Sequence, residues 1–213
     1  MAILKESVIG VLSGKIGQVV GSTWKGISVL KVLPGSVANP QTDKQLAQRQ
    51  KFTVAMRFLQ PITQFLRTGY RNYAVKMSGF NAAQSEILKN AITGTYPNFA
   101  INYPAALVTK GNLPGVLNPV AASTVAGTIL FTWDDNSDET GASDTDPILV
   151  VVYNAVKNWA VTLSNLADRG DGTLTVTVPD AFSGDQVHTY LAFNTLDGFT
   201  LSNSKYAGAV TVA

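Results

Sequence analysis

The sequence predicts an α+β N-terminal module, a β-hairpin with two or three helices, followed by an all-β sandwich. Hydrophobic residues follow helical spacing between residues 42 and 94, and they alternate along short runs from about residue 96 onward. The formal net charge of +2 divides unevenly, with +10 over residues 1–110 and −8 over residues 111–213. Because periodicity and charge change at nearly the same place, we predict two domains, 1–105 and 106–213.

The N-terminal hairpin is predicted from a β-branched stretch that glycine interrupts. Residues 18–23 are expected to pair with residues 27–33 through a turn at 24–26, where glycine permits the required backbone. An earlier apolar run contains Val8, Ile9 and Val11, and Asn39-Pro40 opens a loop into the first helix.

Three helices are predicted next. Thr42 is a candidate N-cap, and apolar residues recur at helical spacing from Leu46 to Leu59. Pro61 should kink this helix or start a second one over 62–70. A third helix is expected to begin at the cap Asn81 and to end before Gly94.

The C-terminal half reads as eight short strands separated by Asp-Asn-Ser, Asp-Gly and Ser-Gly turns. The predicted strands are 106–109, 120–124, 128–133, 148–154, 159–163, 173–178, 187–193 and 206–212. Eight strands in about 108 residues around one central tryptophan, Trp133, are typical of an immunoglobulin-like or fibronectin type III-like sandwich.

Two segments carry a more specific resemblance to fibronectin type III domains. Residues 128–133, followed by Asp134 and Asp135, resemble the third strand of that fold, whose tryptophan fills the core. Residues 187–193 and the turn after them resemble its last hairpin, including a buried tyrosine at Tyr190. The resemblance implies a sandwich without a disulfide, and the chain contains no cysteine.

Over nearly its whole length the chain also resembles a family of domains of unknown function found chiefly in Bacteroidota. The segments that carry this resemblance are 13–21, 24–26, 40–52, 80–83, 94–98, 131–137 and 188–193. The N-terminal pattern, Trp-x-Gly followed by Asn-Pro-x-Thr-x-x-Gln-x-x-x-Arg-x-x-Phe, is similar to sequences in phage structural proteins. These resemblances imply no chemical activity.

Residue types also argue against catalysis. With no cysteine and a single histidine, His188, the chain lacks the usual metal-ligand clusters and nucleophile–base pairs. His188 shares the face of Tyr190 on a predicted strand and is expected to be a packed or rim side chain. We therefore predict no enzyme activity, cofactor, metal site or small-molecule substrate.

The densest carboxylate cluster lies at residues 134–146 and is expected to be a long solvated loop. Its spacing does not match the EF-hand pattern, although calcium binding and a charge role in assembly remain alternatives. No signal peptide or transmembrane run is visible. We expect a protein made in soluble form, in the cytoplasm, in a virion or as a non-classically released filament.

Opposite charge on two halves of one chain predicts head-to-tail attraction between copies. The leading hypothesis is a structural, self-assembling protein, a homo-oligomer or polymer such as a filament, tube or virion-like subunit. The charge-poor N-terminal hairpin would offer an edge for strand addition. The predicted contact residues are Val19, Val20, Trp24, Ile27, Arg49, Arg57, Arg67, Arg71, Asp134, Asp135, Asp138 and Glu139.

Three alternatives stay open. The basic helices interleave arginine with aromatic residues and could bind nucleic acid. The sandwich loops could serve an adhesion or carbohydrate-binding module, for which Trp159 is the obvious exposed aromatic residue. The two halves could also dock on each other within one chain and neutralise their charges.

Overall fold

The computed structural model describes the backbone of residues 2–4 and residues 13–36 and 41–213. The chain forms two compact units, Met1–Gln45 and Leu46–Ala213, and the predicted boundary at 105/106 falls inside the second unit. The apolar residues Val8, Ile9 and Val11 and the Asn39-Pro40 loop lie outside the described residues.

The first unit is a four-stranded antiparallel sheet. Its strands are β1 (Ala2–Leu4), β2 (Gly14–Ile16), β3 (Val19–Trp24) and β4 (Ile27–Val32), in the order β1-β4-β3-β2. The predicted hairpin is confirmed as β3 and β4, and Trp24 pairs with Ile27 at its end. The turn is the two-residue Lys25-Gly26, both with positive φ (48° and 78°), which matches the right-handed twist of paired strands.

The second unit begins with three helices. They are α1 (Asp43–Leu59, whose first residues precede the unit boundary), α2 (Thr63–Gly69) and α3 (Gly79–Asn90). The predicted interruption at Pro61 is confirmed, because a single 3-10 turn, Gln60–Ile62, separates α1 from α2. The cap of α3 is Ser78 and not Asn81, since the Ser78 hydroxyl accepts from the Asn81 amide at 3.1 Å.

The expectation that α3 runs up to Gly94, with Gly94 as its C′ residue, is wrong. The helix ends at Asn90, and Gly94 lies in a hairpin of β5 (Ile92–Thr95) and β6 (Asn98–Ile101) that the sequence did not suggest. Neither strand shows alternation, because β5 has one large apolar residue, Ile92, and β6 has three apolar residues in succession. Gly94 has φ +90°, and an added Cβ would lie 2.2 Å from the carbonyl oxygen of Asn98.

Two facing sheets make up the sandwich. The strands are β7 (Leu117–Ala122), β8 (Thr128–Asp134), β9 (Pro147–Asn154), β10 (Trp159–Asp168), β11 (Thr173–Thr177), β12 (Gln186–Phe193) and β13 (Lys205–Thr211). One sheet has the order β10-β9-β12-β13 and the other β11-β8-β7. Seven of the eight predicted strands are therefore confirmed, and β10 runs beyond its predicted end to Asp168.

Residues 106–109 were predicted to be a strand and are not one. Their backbone is held by side chains, since the Ser204 hydroxyl accepts from the Val108 amide at 2.9 Å and the Thr109 hydroxyl donates to the Ser202 carbonyl at 2.9 Å. Because residues 106–109 form no strand, β8, which contains Trp133, is the second strand of the sandwich and not the third. The expectation that Trp133 lies in the core is confirmed, because it is buried among the residues that fill the sandwich.

The four-stranded sheet of the sandwich is covered on both faces. Along β9 every residue is buried. Val150 and Val152 pack into the core between the two sheets, whereas Val151 and Tyr153 join the core beneath the helices. This core includes Phe58 of α1. The second unit thus has three layers, helices on a four-stranded sheet on a three-stranded sheet, so the helices and the sandwich belong to one compact unit.

Candidate functional site

The strand register of the N-terminal sheet gives it two different faces. Gly14, Gly21 and Leu30 lie opposite one another in one row, and Ile16, Val19 and Val32 form a second row on the same face. The intervening row, which contains Val20, belongs to the other face together with Trp24 and Ile27. Of the four contact residues predicted here, Val19 is therefore separated from the other three.

The face that carries Val19 has an apolar groove of about 190 Å³. Its lining residues are Ser13, Gly14, Ile16, Val19, Gly21 and Leu30. Two glycines at neighbouring positions leave the floor without side chains, and Ile16 stands at its side with 70% of its surface exposed. Because a water molecule occupies only ~30 Å³ of liquid, this groove has room for an entering side chain.

This sheet has almost no core of its own. Among residues 13–36 the only buried residue is Gly21, which has no side chain to contribute. Val32 and Trp24 are 66% and 52% exposed. Apolar surface of this kind, gathered on one small sheet, is typical of a surface that another molecule covers.

The predicted basic contact residues are distributed over the helical layer. Arg49, Arg57, Arg67 and Arg71 are all exposed, and Arg71 also donates from Nη1 to the carbonyl oxygen of Gly198 at 3.1 Å. Arg49 and Arg57 are eight residues apart on α1 and so differ in direction by about 80°. On the same helix, Lys51 lies over the ring of Phe99 at 5.0 Å. The basic side chains of α1 do not form a single stripe.

Arg57 also lines a cavity of about 210 Å³ beside an aromatic cluster. Phe58 packs edge-on against Tyr153 at 5.0 Å, and the ring of Tyr103 stacks on His188 with centroids 3.5 Å apart. The Nδ1 atom of His188 is 2.9 Å from the Tyr206 hydroxyl. Burial lowers the pKa of His188 and raises the pKa of Tyr153 to about 12. His188 therefore shares the face of Tyr190 and is packed, as expected.

The predicted acidic contact residues lie at one end of the sandwich. Asp134 accepts from the Asn118 amide at 2.7 Å, and Asp135 accepts from the Ser137 backbone amide at 2.9 Å. Glu139 accepts from Asn136 at 2.9 Å, and Asp138 is exposed. Asp134, Asp135, Asp138 and Glu139 thus retain solvent-exposed side chains.

The expectation that the whole stretch is a solvated loop is wrong at Asn136 and Asp146, whose side chains are buried. Asp146 is buried and pairs with the fully buried Arg169, with Nη2 and Oδ2 3.0 Å apart. Arg169 also donates to Asn136 at 2.6 Å, and its guanidinium lies 4.0 Å from the centroid of the Phe193 ring. A carboxylate can be buried when a buried cation and further hydrogen bonds compensate it. Nothing local in the sequence marks Arg169 as that partner.

Among the described residues, no three His, Asp or Glu side chains converge to hold a metal ion. Trp159, half exposed, packs edge-on against Phe182 with ring centroids 5.2 Å apart.

Sequence reasoning missed the exposed side chains of Ile16, Leu196 and Phe199. In a sequence, exposed apolar residues within strands and turns cannot be told apart from core residues. Only the three-dimensional structure shows that these side chains are exposed.

The whole-chain resemblance is confirmed at the level of the family. A model of the family of unknown function DUF6266 matches residues 11–208, so the chain belongs to that family. No curated protein matches the sequence. Within the described part of the chain, no helix is long and apolar enough to cross a membrane.

Solved structures similar to this chain include two fibronectin type III domains. The fn3 domain of the human collagen alpha-1(XX) chain is 9% identical, covers 48% of this chain and 87% of its own, and has a TM-score of 0.37. The FN5 domain of Drosophila Lar is 13% identical, covers 47% of this chain and 99% of its own, and has a TM-score of 0.33.

Proposed function

We propose that the protein is a non-enzymatic structural subunit that assembles with copies of itself through its N-terminal sheet. The observation that carries the proposal is the absence of any buried side chain among residues 13–36, although one face of that sheet is apolar. A small sheet needs a hydrophobic face packed against something to be stable. Covering the face that contains Ile16, Val19 and Leu30 would supply this burial.

Charge supports a second copy as the occupant. Residues 1–45 contain five Lys/Arg and two Asp/Glu, a net charge of +3, whereas residues 134–146 contain six Asp/Glu and no Lys or Arg. Each copy therefore carries one basic and one acidic region, and unlike charges favour contact between different regions of two copies. Such heterologous contacts close into rings or continue as filaments.

The basic helices contribute less to this proposal than their charge alone indicates. They pack on the sandwich, and the second unit as a whole contains 11 Lys/Arg and 12 Asp/Glu. Its basic helices and acidic strands largely balance each other within one body. The sheet, which exposes an apolar face around Ile16 and Val19 and carries Lys15 and Lys31 on the opposite face, is therefore the better candidate for the contact.

Light scattering and negative-stain microscopy of the purified full-length chain test the proposal. We expect particles heavier than the 22.6-kDa chain at low salt and smaller ones at high salt, because charge attraction is screened. Ile16→Asp should return the protein to monomers, since a carboxylate would have to be buried in the contact. Val125→Asp, at a side chain 63% exposed on the second unit, is the matched control. A wild-type chain that stays monomeric under all conditions would refute the proposal.

Nucleic-acid binding is the alternative with a specific observation in its favour, the exposure of Arg49, Arg57 and Arg67 on the helical layer. The absorbance ratio at 260 and 280 nm of the same preparation measures any co-purified nucleic acid. Binding of an oligonucleotide that weakens steeply with salt, and weakens further in Arg57→Ala, would favour this alternative over assembly.

A further inference from the structure

The cavity that Arg57 lines, which we call the aromatic cavity, has walls from α1, β6 and β9. Its volume is about 210 Å³, and four aromatic residues line it, Phe58, Phe99, Tyr103 and Tyr153. Aromatic walls favour a flat ring, which can pack against them edge-on or in an offset stack. Since an apolar cavity of about 150 Å³ holds a benzene molecule, this one has room for a ring that carries one small substituent.

The walls of the aromatic cavity are held in place by contacts within the chain. The side-chain amide of Gln50 on α1 donates to the carbonyl oxygen of Pro97, in the turn between β5 and β6. The Tyr190 hydroxyl donates to the carbonyl oxygen of Tyr103 at 3.0 Å, and the other contact of Tyr103 is its stacking on His188. A ligand that enters a preformed cavity pays little for ordering the protein.

Arg57 gives the aromatic cavity a positive charge that has no carboxylate beside it. Among the described residues, no Asp or Glu forms an ion pair with Arg57, and no acidic residue lines the cavity. Burial raises the pKa of Tyr103 and Tyr153, and the Arg57 cation acts in the opposite direction on both. Because such an effect weakens with distance, the guanidinium lies near the two hydroxyl groups.

The two tyrosine hydroxyls differ in what they already bind. The Tyr153 hydroxyl donates its proton to Oδ1 of Asn158 at 3.0 Å. Within the described part of the chain the Tyr103 hydroxyl has no hydrogen-bond partner, so its proton is available to a ligand. The guanidinium of Arg57 and this hydroxyl are both donors, and a carboxylate accepts from both kinds of group. A phosphate dianion fits less well, because no second cation lines the cavity.

We propose that the aromatic cavity binds a small aromatic carboxylate, with its ring among the aromatic walls and its carboxylate on Arg57 and the Tyr103 hydroxyl. This inference goes beyond the proposed function and does not depend on it. The cavity belongs wholly to the second unit, whereas the proposed contact between copies belongs to the N-terminal sheet. Arg57, which the sequence predicts as a contact for another chain, is here a ligand-binding residue.

Saturation-transfer NMR on the full-length chain tests the proposal with benzoate, benzamide and acetate. Benzamide has the ring without the charge, and acetate has the carboxylate without the ring. We expect benzoate to bind at least about ten-fold more tightly than either, because only benzoate uses both the aromatic walls and the cation. Benzamide that binds as tightly as benzoate, or no transfer to benzoate at about 10 mM, would overturn the proposal.

Arg57→Gln removes the cation and keeps a polar side chain at an exposed position of α1. It should weaken benzoate binding at least about ten-fold and leave benzamide binding unchanged. Arg67→Gln is the matched control, because Arg67 is an exposed arginine of α2 that does not line the cavity. Equal effects of the two substitutions on benzoate, or no effect of Arg57→Gln, would overturn the assignment of Arg57.

Ala100→Trp tests the location independently of charge. Ala100 is exposed on β6 and lines the cavity, so a large ring there would fill the space while the buried residues stay in place. Tryptophan is also favourable in strands. We expect benzoate binding to be lost, with an unchanged far-ultraviolet circular dichroism spectrum. Benzoate binding that persists in Ala100→Trp would place the ligand elsewhere and overturn the proposal.

Discussion

Strands β4 and β9 have similar sequences and opposite environments. β4 reads Ile-Ser-Val-Leu-Lys-Val, and none of its residues is buried. β9 reads Pro-Ile-Leu-Val-Val-Val-Tyr-Asn, and every residue is buried. Both are rich in β-branched residues, as strands are. The difference lies in their neighbours, because β9 has a layer on each face. Hydrophobic content therefore indicates a strand, and the surrounding layers decide how much that strand contributes to stability.

The largest expected effect is in the interior of the second unit. Arg169→Ala removes the cation that compensates buried Asp146 and leaves Asn136 without its donor. We expect a loss of about 3–5 kcal/mol in the free energy of unfolding, measured by urea denaturation. Arg67→Ala, at an exposed side chain of α2, should change it by less than about 0.5 kcal/mol. Equal effects of the two substitutions would contradict the buried network.

Gly111→Ala tests a close backbone approach in the same unit. An added Cβ would lie 1.8 Å from the carbonyl oxygen of Leu201, so the two segments would have to move apart. The hydrogen bond from the Leu113 amide to that oxygen, 3.0 Å long, would be distorted. We expect a loss of about 3 kcal/mol in stability by the same measurement. Gly35→Ala, which meets no atom within 4 Å in the first unit, is the control and should be nearly neutral.

Two matched valine-to-alanine substitutions, one in β9 and one in β4, compare these strands directly. Val151→Ala in β9 removes two buried methyl groups beneath the helices and should cost about 2 kcal/mol. Val29→Ala in β4 removes the same groups from a partly exposed site and should cost less than about 1 kcal/mol in the monomer. Thermal unfolding monitored by circular dichroism provides the comparison. A larger cost at Val29 would mean that the N-terminal sheet is covered even in the monomer.

The smallest expected effect is a loss of stability against unfolding at alkaline pH. Burial raises the pKa values of Tyr70 and Tyr190, and that of Tyr153 to about 12, above the usual value near 10. The folded chain therefore holds these protons more tightly than the unfolded chain. Their contribution is fully present below pH 10 and is lost as pH rises above it. Urea midpoints at pH 7, 8, 9, 10 and 11 should decline only near and above pH 10, and a decline that begins below pH 9 would argue against burial as the cause.

Local patterns were sufficient for most of the strands. Alternation and turn signals predicted β8, β12 and the hairpin of β3 and β4, because these signals depend on neighbouring residues alone. The same reasoning failed for residues 106–109, which form no strand and are hydrogen-bonded to Ser202 and Ser204, more than ninety positions away. It also missed the short hairpin of β5 and β6, whose strands do not alternate between apolar and polar residues.

The candidate site was predicted less completely than the fold. Val19 and Trp24 were correctly placed in strands, but only the register shows that they occupy opposite faces. Arg71, which the charge pattern predicts as a contact residue, is exposed and also donates to the carbonyl oxygen of Gly198, and its role in contact between copies stays a prediction. Leu196 and Phe199 carried no signal, because the exposure of an apolar residue in a loop depends on what packs above it.

Composition, periodicity and spacing determined that this chain has an α+β beginning and a run of sandwich strands, since each of these follows from residues close in sequence. They also determined the uneven distribution of charge. Tertiary structure decided that the helices pack on the sandwich, that Arg169 lies buried against Asp146, and that Ile16 remains exposed. Those outcomes depend on contacts between residues far apart in sequence. Such contacts stabilise the chain only once the layers have come together.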